Sequence, residues 1–160
     1  MAALPLRDSI NRRVLVVDDD ETNLDLARHI LQLSRLDVTV CQSGNEALDL
    51  YALALSNLTP FDVVVADLMM PGMSGTDLAS RLVVAPNPPR LVCVTGRVAP
   101  TTLEMCAAAG FDVVVTKPYR MASLLLAVMG SSSPDSAKLA TSAPSLAFRA
   151  PRFQTPYTAR

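Results

Sequence analysis

The sequence lacks the features that mark membrane-bound, secreted or nucleic-acid-binding proteins. No apolar run reaches the roughly 18 residues of a membrane-spanning helix, although 50% of the residues are hydrophobic. Residues 1–13 contain no apolar core of a secretory signal. The formal net charge is only -1, which gives no electrostatic footprint for nucleic acid. We therefore expect a cytoplasmic protein without membrane contacts or direct nucleic-acid binding.

Cysteine and histidine are too few and too scattered to build a metal or catalytic centre. The three cysteines, Cys41, Cys93 and Cys106, are an odd number without C-x-x-C spacing. Two of them lie in apolar, strand-like runs, which favours reduced thiols in the core. The single histidine, His29, lies in a predicted helix without a catalytic partner, so we expect it at the surface. Neither a P-loop nor a G-x-G-x-x-G motif is present, which argues against a nucleotide- or flavin-binding domain.

The composition of the chain changes near Gly130. A chain of 160 residues is long enough for one domain with an ordinary core. We expect residues 1–12 to form an irregular lead-in, 13–130 to form the folded domain, and 131–160 to form a disordered tail. The tail is rich in Ser, Ala, Thr and Pro and more basic than acidic, and it cannot bury enough apolar surface to offset its chain entropy. A solvated tail is the simplest interpretation, and contact with an anionic partner or with the acidic folded domain of the same chain is the alternative.

Apolar, β-branched runs alternate with helical patterns through the folded domain. The runs are mostly continuous, which indicates a parallel sheet covered on both faces, with right-handed crossovers. Ser43, followed three residues later by Glu46, predicts a capping box at the start of the second helix. The strands are predicted at 13–18, 37–41, 61–67, 90–95 and 112–116, and the helices at 21–34, 43–57, 75–85, 99–109 and 119–129.

Carboxylates follow two of the predicted strands at the point where each strand ends. The first strand leads into Asp18 and Asp19, and the third leads into Asp67, which precedes a Met-Pro-Gly turn. Open α/β sheets bind ligands at this edge. Like charges in so small a volume repel strongly unless a cation lies among them. The sequence therefore predicts a divalent cation at these three residues, whereas Asp20 is expected to favour the start of the next helix.

The fourth and fifth strands contribute a hydroxyl and an ammonium group to the same edge. The fourth strand ends in Thr95-Gly96, and the fifth ends in Thr116-Lys117-Pro118. A carboxylate nucleophile with a cation, a hydroxyl and a lysine suits phosphoryl transfer to Asp67. Thr95 and Lys117 could each donate a hydrogen bond to a phosphate oxygen, and Gly96 leaves room for close approach of the backbone. Mg²⁺ (or Mn²⁺) would neutralise the developing charge.

The segments VLVVDDD, DLMMPGMSG, LVCVTG and TKP resemble, in this order and spacing, the receiver domain of two-component response regulators. The resemblance covers about residues 12–130. It implies a flavodoxin-like (βα)5 fold, a doubly wound parallel sheet of order 2-1-3-4-5. It also implies a phospho-acceptor rather than an enzyme, with intrinsic autodephosphorylation as a possible activity.

The same resemblance implies the chemistry and partners of the acidic site. Asp67 would take a phosphoryl group from a histidine kinase or a histidine phosphotransfer protein, and the domain would then signal through protein contacts. Asp18 and Asp19 match the acidic metal pair, with Asp19 as the direct ligand. Met69 matches the position whose backbone carbonyl binds Mg²⁺.

Residues near the phosphate are implied in the same way. Thr95 matches the switch hydroxyl, Lys117 matches the phosphate-pairing lysine, and Pro118 matches the residue that follows it in a cis-bonded turn. Receivers often carry an aromatic residue three positions before the lysine, but here that position is Val114. A coupled threonine–aromatic switch is therefore not expected, and Tyr119 becomes a candidate reporter of the site.

The last two predicted helices carry very little charge. The stretch Met121–Met129 contains no charged residue, and helix 99–109 contains only Glu104. Because a surface helix normally has a polar outer face, this predicts an exposed apolar patch for a homodimer or an output protein. Leu125 and Met129 are the candidate output residues, and cover by the tail is the alternative.

Three other functional interpretations are weighed against a stand-alone receiver. The first is a receiver module of a larger hybrid kinase or transcriptional regulator. The second is an aspartyl-phosphate phosphatase of the haloacid dehalogenase type, but those enzymes use a D-x-D arrangement, whereas Asp67 is followed by Leu68-Met69. The third is a degenerate receiver that never takes phosphate, and the complete set of acceptor residues argues against it.

Overall fold

The computed structural model describes residues 11–130 and the backbone of residues 146–148. In this part of the chain, no helix has the length and apolar character needed to cross a bilayer. Five strand–helix pairs follow one another, and a sixth strand comes after them. The elements are β1 (Arg13–Val17), α1 (Glu21–Leu33), β2 (Asp37–Cys41), α2 (Gly44–Ser56), β3 (Val63–Asp67), α3 (Gly75–Leu82), β4 (Arg90–Thr95), α4 (Pro100–Ala109), β5 (Val113–Thr116), α5 (Met121–Met129) and β6 (Leu146–Phe148).

The strands form one sheet in the order β2-β1-β3-β4-β5-β6. The first five strands are parallel, as the continuous apolar runs predicted. The flavodoxin-like order 2-1-3-4-5 is confirmed. Parallel pairing sets the carboxyl ends of the strands along one edge, with Asp67 opposite Val94 and Thr95 opposite Thr116.

β6 is the element that the sequence did not predict. It pairs antiparallel with β5 and extends the sheet to six strands. The tail was expected to be disordered, whereas residues 146–148 form this strand. A short strand needs no periodicity of its own when a formed sheet edge supplies its hydrogen-bonding partners. The rest of the predicted tail, and residues 1–10 of the lead-in, lie outside the described residues.

Side chains from each strand enter two separate apolar layers. Helices α2, α3 and α4 cover one face of the sheet, and α1 and α5 cover the other. Successive residues of a strand point to opposite faces, so both layers draw on the same apolar runs. Residues on the α2–α4 face include Leu15, Val64, Leu91 and Val114, whereas Val14, Val63, Val92 and Val113 lie on the α1–α5 face.

Polar side chains define the starts of the first two helices. Asp20 is the N-cap of α1, and its side chain accepts a hydrogen bond from the backbone N–H of Thr22, which confirms the expected helix-start role. Ser43 caps α2 by accepting from the N–H of Glu46. The Glu46 carboxylate accepts from the N–H of Gln42 rather than from that of Ser43, so the capping box predicted for α2 is only half formed.

Helix α3 begins in close contact with the end of β3. A complete capping box joins Ser74 and Asp77 at its start. The N–H of Gly75 donates to the carbonyl oxygen of Leu68 at 2.9 Å. A Cβ atom on Gly75 would lie 2.2 Å from the carbonyl oxygen of Asp67, far inside van der Waals contact. Only glycine permits this approach between the two backbones.

Helices α4 and α5 lie on opposite faces of the sheet rather than side by side, and β5 lies between them. On α5, Leu126 is 43% exposed and Met129 is 40% exposed. Leu125 is partly buried and packs against the α1–α5 core. The solvent-facing position expected for Leu125 is therefore taken by its neighbour Leu126, because a charge-free helix offers no polar residues that fix its orientation from sequence.

Candidate functional site

Carboxylates from two strand ends meet at the carboxyl edge of the sheet. Asp18 and Asp19 follow β1, and Asp67 is the last residue of β3, the neighbouring strand. One oxygen from each of these three carboxylates lies within 4.8 Å of the other two. Asp18 is buried, Asp67 is half-buried and Asp19 is exposed. The structure thus brings together the three acidic residues that the sequence singled out.

Lys117, from the turn after β5, binds two of these carboxylates at once. Its Nζ atom lies 3.0 Å from Oδ2 of Asp18 and 3.0 Å from Oδ2 of Asp67. Partial burial by itself would lower the pKa of Lys117, but the hydrogen bonds to Asp18 and Asp67 and their charges outweigh it and raise the pKa overall. The side chain therefore remains an ammonium ion at neutral pH.

The second oxygen of Asp18 is held from α1. Its Oδ1 atom accepts hydrogen bonds from the backbone N–H of Asp20 at 2.9 Å and from Nδ2 of Asn23 at 3.3 Å. The sequence reasoning did not single out Asn23. The available signal was its place in the first turn of a helix that begins at the same sheet edge as the carboxylates.

This donor set fits a hard divalent cation. Carboxylate and carbonyl oxygens are the ligands that Mg²⁺ prefers. Three carboxylates face a single ammonium group here, so the cluster carries excess negative charge. Met69 also lies at the site, because its backbone N–H donates to Oδ1 of Asp67 at 3.2 Å while its side chain is exposed.

The remaining predicted phosphate contacts lie at the ends of the next two strands. Thr95 is buried at the end of β4, and its Oγ1 atom accepts a hydrogen bond from the N–H of Arg97 at 3.1 Å. Gly96 is exposed, and a Cβ atom there would meet no atom within 4 Å. The Lys117–Pro118 peptide bond is cis, as the resemblance implied.

Val114, which stands where receivers often carry an aromatic residue, and the candidate reporter Tyr119 lie on different faces of the sheet. Val114 is buried on the α2–α4 face, opposite Cys93 of β4. Tyr119 is half-buried and packs against the α1–α5 core. Burial raises the pKa of Tyr119, the positive charge of Lys117 lowers it in part, and the negative charge of Asp18 raises it further.

The three cysteines and the single histidine take the positions that the sequence predicted for them. All three cysteines are free and buried, and the Sγ atoms of Cys93 and Cys106 lie 3.7 Å apart. Burial is the main cause that raises the pKa of Cys41 to about 12, so its thiol stays protonated at neutral pH. His29 is exposed on α1. The predictions of reduced core thiols and a surface histidine are confirmed.

A doubly wound sheet with acidic residues, a threonine and a lysine at its carboxyl edge defines a phospho-acceptor class of signalling domain. Residues 14–129 match the family model of the response regulator receiver domain. The chain therefore belongs to the response regulator receiver family, whose members are phospho-accepting domains of two-component systems and are not generally classed as enzymes.

Individual relatives support the same family. The chain is 37% identical over 130 residues to the virulence sensor protein BvgS of Bordetella pertussis, and the aligned segment covers 77% of this chain and 10% of BvgS. It is 31% identical over 121 residues to the DNA-binding response regulator MtrA of Mycobacterium tuberculosis, and the aligned segment covers 76% of this chain and 50% of MtrA. The chain thus spans at most half the length of these two relatives. The chemotaxis response regulator CheY4 of Vibrio cholerae superposes with a TM-score of 0.62 at 26% identity, over 71% of this chain and 92% of CheY4.

Proposed function

We propose that Asp67 accepts a phosphoryl group from a phosphorylated histidine of a kinase or a phosphotransfer protein. The observation that carries this proposal is the position of the Asp67 carboxylate, within 4.8 Å of two other carboxylates and 3.0 Å from the Lys117 ammonium. A carboxylate oxygen of Asp67 attacks the phosphorus, and an O–P bond forms while the N–P bond to histidine breaks. The released histidine nitrogen keeps the electron pair of that bond and takes up a proton from water.

Asp18, Asp19 and Asp67, with the backbone carbonyl of Met69, would hold Mg²⁺ or Mn²⁺. When bound, the cation supplies positive charge that offsets the phosphate and carboxylate oxygens. The mutual repulsion of three clustered carboxylates supports this proposal, since one ammonium group cannot balance them. Asp19 is the exposed member of the cluster and is therefore the residue most open to direct ligation.

The chain's own residues stabilise the phosphorylated form. Lys117 would leave the carboxylates and pair with a phosphate oxygen, a charge-assisted contact. The hydroxyl of Thr95 would turn from the N–H of Arg97 toward the phosphate and donate to it. The open space at Gly96 leaves room for the phosphate beside the backbone. The domain would also remove its own phosphate, through attack of water on the phosphorylated Asp67.

The output of the domain would pass through protein contacts on either side of β5. Exposed apolar side chains on α4 and α5 support such contacts with a second copy or an output protein; they include Met105, Met121, Leu126 and Met129. Val114 is small and buried, so the signal would pass through backbone movement near Thr95 and through Tyr119. The same chemistry would serve a stand-alone regulator or a receiver within a longer protein.

Small phosphodonors test the acceptor directly. The full chain, incubated with acetyl phosphate and Mg²⁺, should gain one phosphate by intact-mass spectrometry, and EDTA should abolish this gain. Asp67→Asn should gain none. Asp62→Asn is the matched control, because Asp62 lies just before the opposite end of β3 and accepts a hydrogen bond from the N–H of Arg13, which Asn can also accept. Phosphate mainly on His29, on a serine or on Asp67→Asn protein would overturn the proposal.

A further inference from the structure

Asn23 makes a contact that the start of its helix does not require. It is the third residue of α1, the position from which a capping-box side chain reaches back to the N-cap backbone. Instead, its Nδ2 atom donates to Oδ1 of Asp18 at 3.3 Å, outside the helix. The cap itself is made by Asp20, whose carboxylate accepts from the N–H of Thr22 at 2.8 Å.

The two oxygens of Asp18 are thereby given different surroundings. Oδ1 is held by two donors, the Asp20 N–H and the Asn23 amide, both from the start of α1. Oδ2 points into the cluster, where Lys117 lies 3.0 Å away. A carboxylate anchored through one oxygen in this way cannot rotate without losing both anchors, so the direction of its second oxygen is fixed.

We propose that Asn23 is a positioning residue for the metal site, and that it acts by holding Oδ1 of Asp18 so that Oδ2 stays directed at the space shared with Asp67. This inference rests on the proposed function of the acidic cluster. Because Oδ1 remains anchored, Oδ2 faces this space both when Lys117 contacts it and when a cation takes the place of Lys117. Outer hydrogen bonds of this kind commonly orient carboxylates that bind metals.

Titration with Mg²⁺ alone measures this role without phosphorylation. Backbone amide shifts of the full chain should report Mg²⁺ binding by the wild type. Asn23→Ala should bind Mg²⁺ roughly 10-fold to 100-fold more weakly, the usual effect of removing an outer hydrogen bond from a metal ligand. Thr22→Ala, an exposed neighbour that keeps the capping N–H, should bind like the wild type. The thermal unfolding midpoint of Asn23→Ala in EDTA should match that of the wild type.

A double-mutant cycle separates positioning from a general effect on the site. If Asn23 acts through Asp18, Asn23→Ala should cause no further loss of Mg²⁺ affinity in an Asp18→Asn background, but it should keep its effect in an Asp19→Asn background. Broadening of amide signals by Mn²⁺ allows the cation affinities to be compared also for the variants that bind Mg²⁺ most weakly. Equal losses in both backgrounds, or wild-type affinity in Asn23→Ala, would overturn the positioning role. Failure of the wild type to bind Mg²⁺ would instead overturn the proposed function.

Discussion

The Nζ atom of Lys117 lies 3.0 Å from Oδ2 of Asp67, so the lysine expected to pair with the phosphate is already held on the acceptor. The same ammonium is 3.0 Å from Oδ2 of Asp18. Contact of Lys117 with a phosphate would therefore exchange established ion pairs for a new one. The resting and phosphorylated states differ in the partner of one side chain, and the balance between them follows from its relative affinity for the two partners.

Replacement of Lys117 by Ala should separate metal binding from the response to phosphate. Without the ammonium, the Oδ2 atoms of Asp18 and Asp67 lose their shared ion-pair partner, so the free energy of unfolding in EDTA should fall by about 1–3 kcal/mol. Mg²⁺ affinity should be kept or increased, because a competing cation is gone. Melting curves with EDTA and with Mg²⁺ measure both effects.

The response to phosphate should be lost in the same variant. Beryllofluoride with Mg²⁺, a phosphate analogue, should shift amide resonances of β4 and α4 in the wild type but not in Lys117→Ala. Arg120→Ala removes an exposed basic residue close to Lys117 and should behave like the wild type. Identical shifts in Lys117→Ala and the wild type would show that the lysine has no part in the response.

Gly75 should be intolerant of any side chain. Gly75→Ala places Cβ 2.2 Å from the Asp67 carbonyl oxygen, so α3 must move away from β3. We expect a loss of about 1–3 kcal/mol in the free energy of unfolding, measured by urea denaturation. Gly96→Ala is the control, since a Cβ there meets nothing within 4 Å and should change stability by less than about 0.5 kcal/mol. Equal stability of the two variants would contradict the tight packing at Gly75.

The exposed side of α5 should control association and not phosphorylation. Glu at Leu126 or Met129 places a charge on the apolar surface, so self-association or partner binding should weaken while acetyl phosphate still modifies Asp67. Leu125→Glu is a contrasting variant, because Leu125 packs against the core and a charge there should destabilise the fold. Sedimentation with beryllofluoride and Mg²⁺ measures association. Unchanged sedimentation and partner affinity in both surface variants would exclude this side of α5.

The β5–β6 ladder makes a prediction at single-residue resolution. The N–H of Asp112 donates to Leu91 of β4, so by strand alternation the N–H groups of Val113 and Val115 point toward β6. Their register partners are Phe148 and Leu146. Leu146→Pro combined with Phe148→Pro should remove ladder donors and speed amide exchange at Val113 and Val115 by roughly tenfold.

A proline between these two positions provides the control. Ala147 lies opposite Val114, and its own N–H points away from β5, so Ala147→Pro should leave both amides protected. The Val114 amide points toward β4 and should exchange slowly in every variant, which gives an internal reference. Equal exchange at Val113 in the double-proline and Ala147→Pro proteins would show that β6 does not protect the edge in solution.

The parallel sheet could be predicted because its signal is local. Strands buried on both faces must be apolar at every position, and Val63–Ala66 shows this without reference to any other segment. The acidic cluster could be predicted for a related reason: a parallel sheet brings every strand's carboxyl end to one edge, so Asp18 and Asp67 must meet there. Neither inference needs the orientation of a side chain.

The features that the sequence did not reveal depend on distant partners or on orientation. β6 exists through its pairing with β5, and no pattern within Leu146–Phe148 marks it. Leu125 and Leu126 are chemically identical, and only packing distinguishes the half-buried residue from the exposed one. Asn23 contributes through an amide that reaches beyond its own helix to Asp18, a contact that composition and periodicity do not encode.

The match to the receiver family ends at residue 129, before β6 begins. A protein shortened at that boundary keeps the five parallel strands but turns β5 into an open edge, in a domain that also exposes the apolar side chains of Met121 and Leu126. Open edges next to apolar surface invite pairing with other chains. Dimers or aggregates of such a shortened domain would then result from the truncation itself. The oligomeric state relevant to signalling therefore has to be measured on a chain that retains residues 146–148.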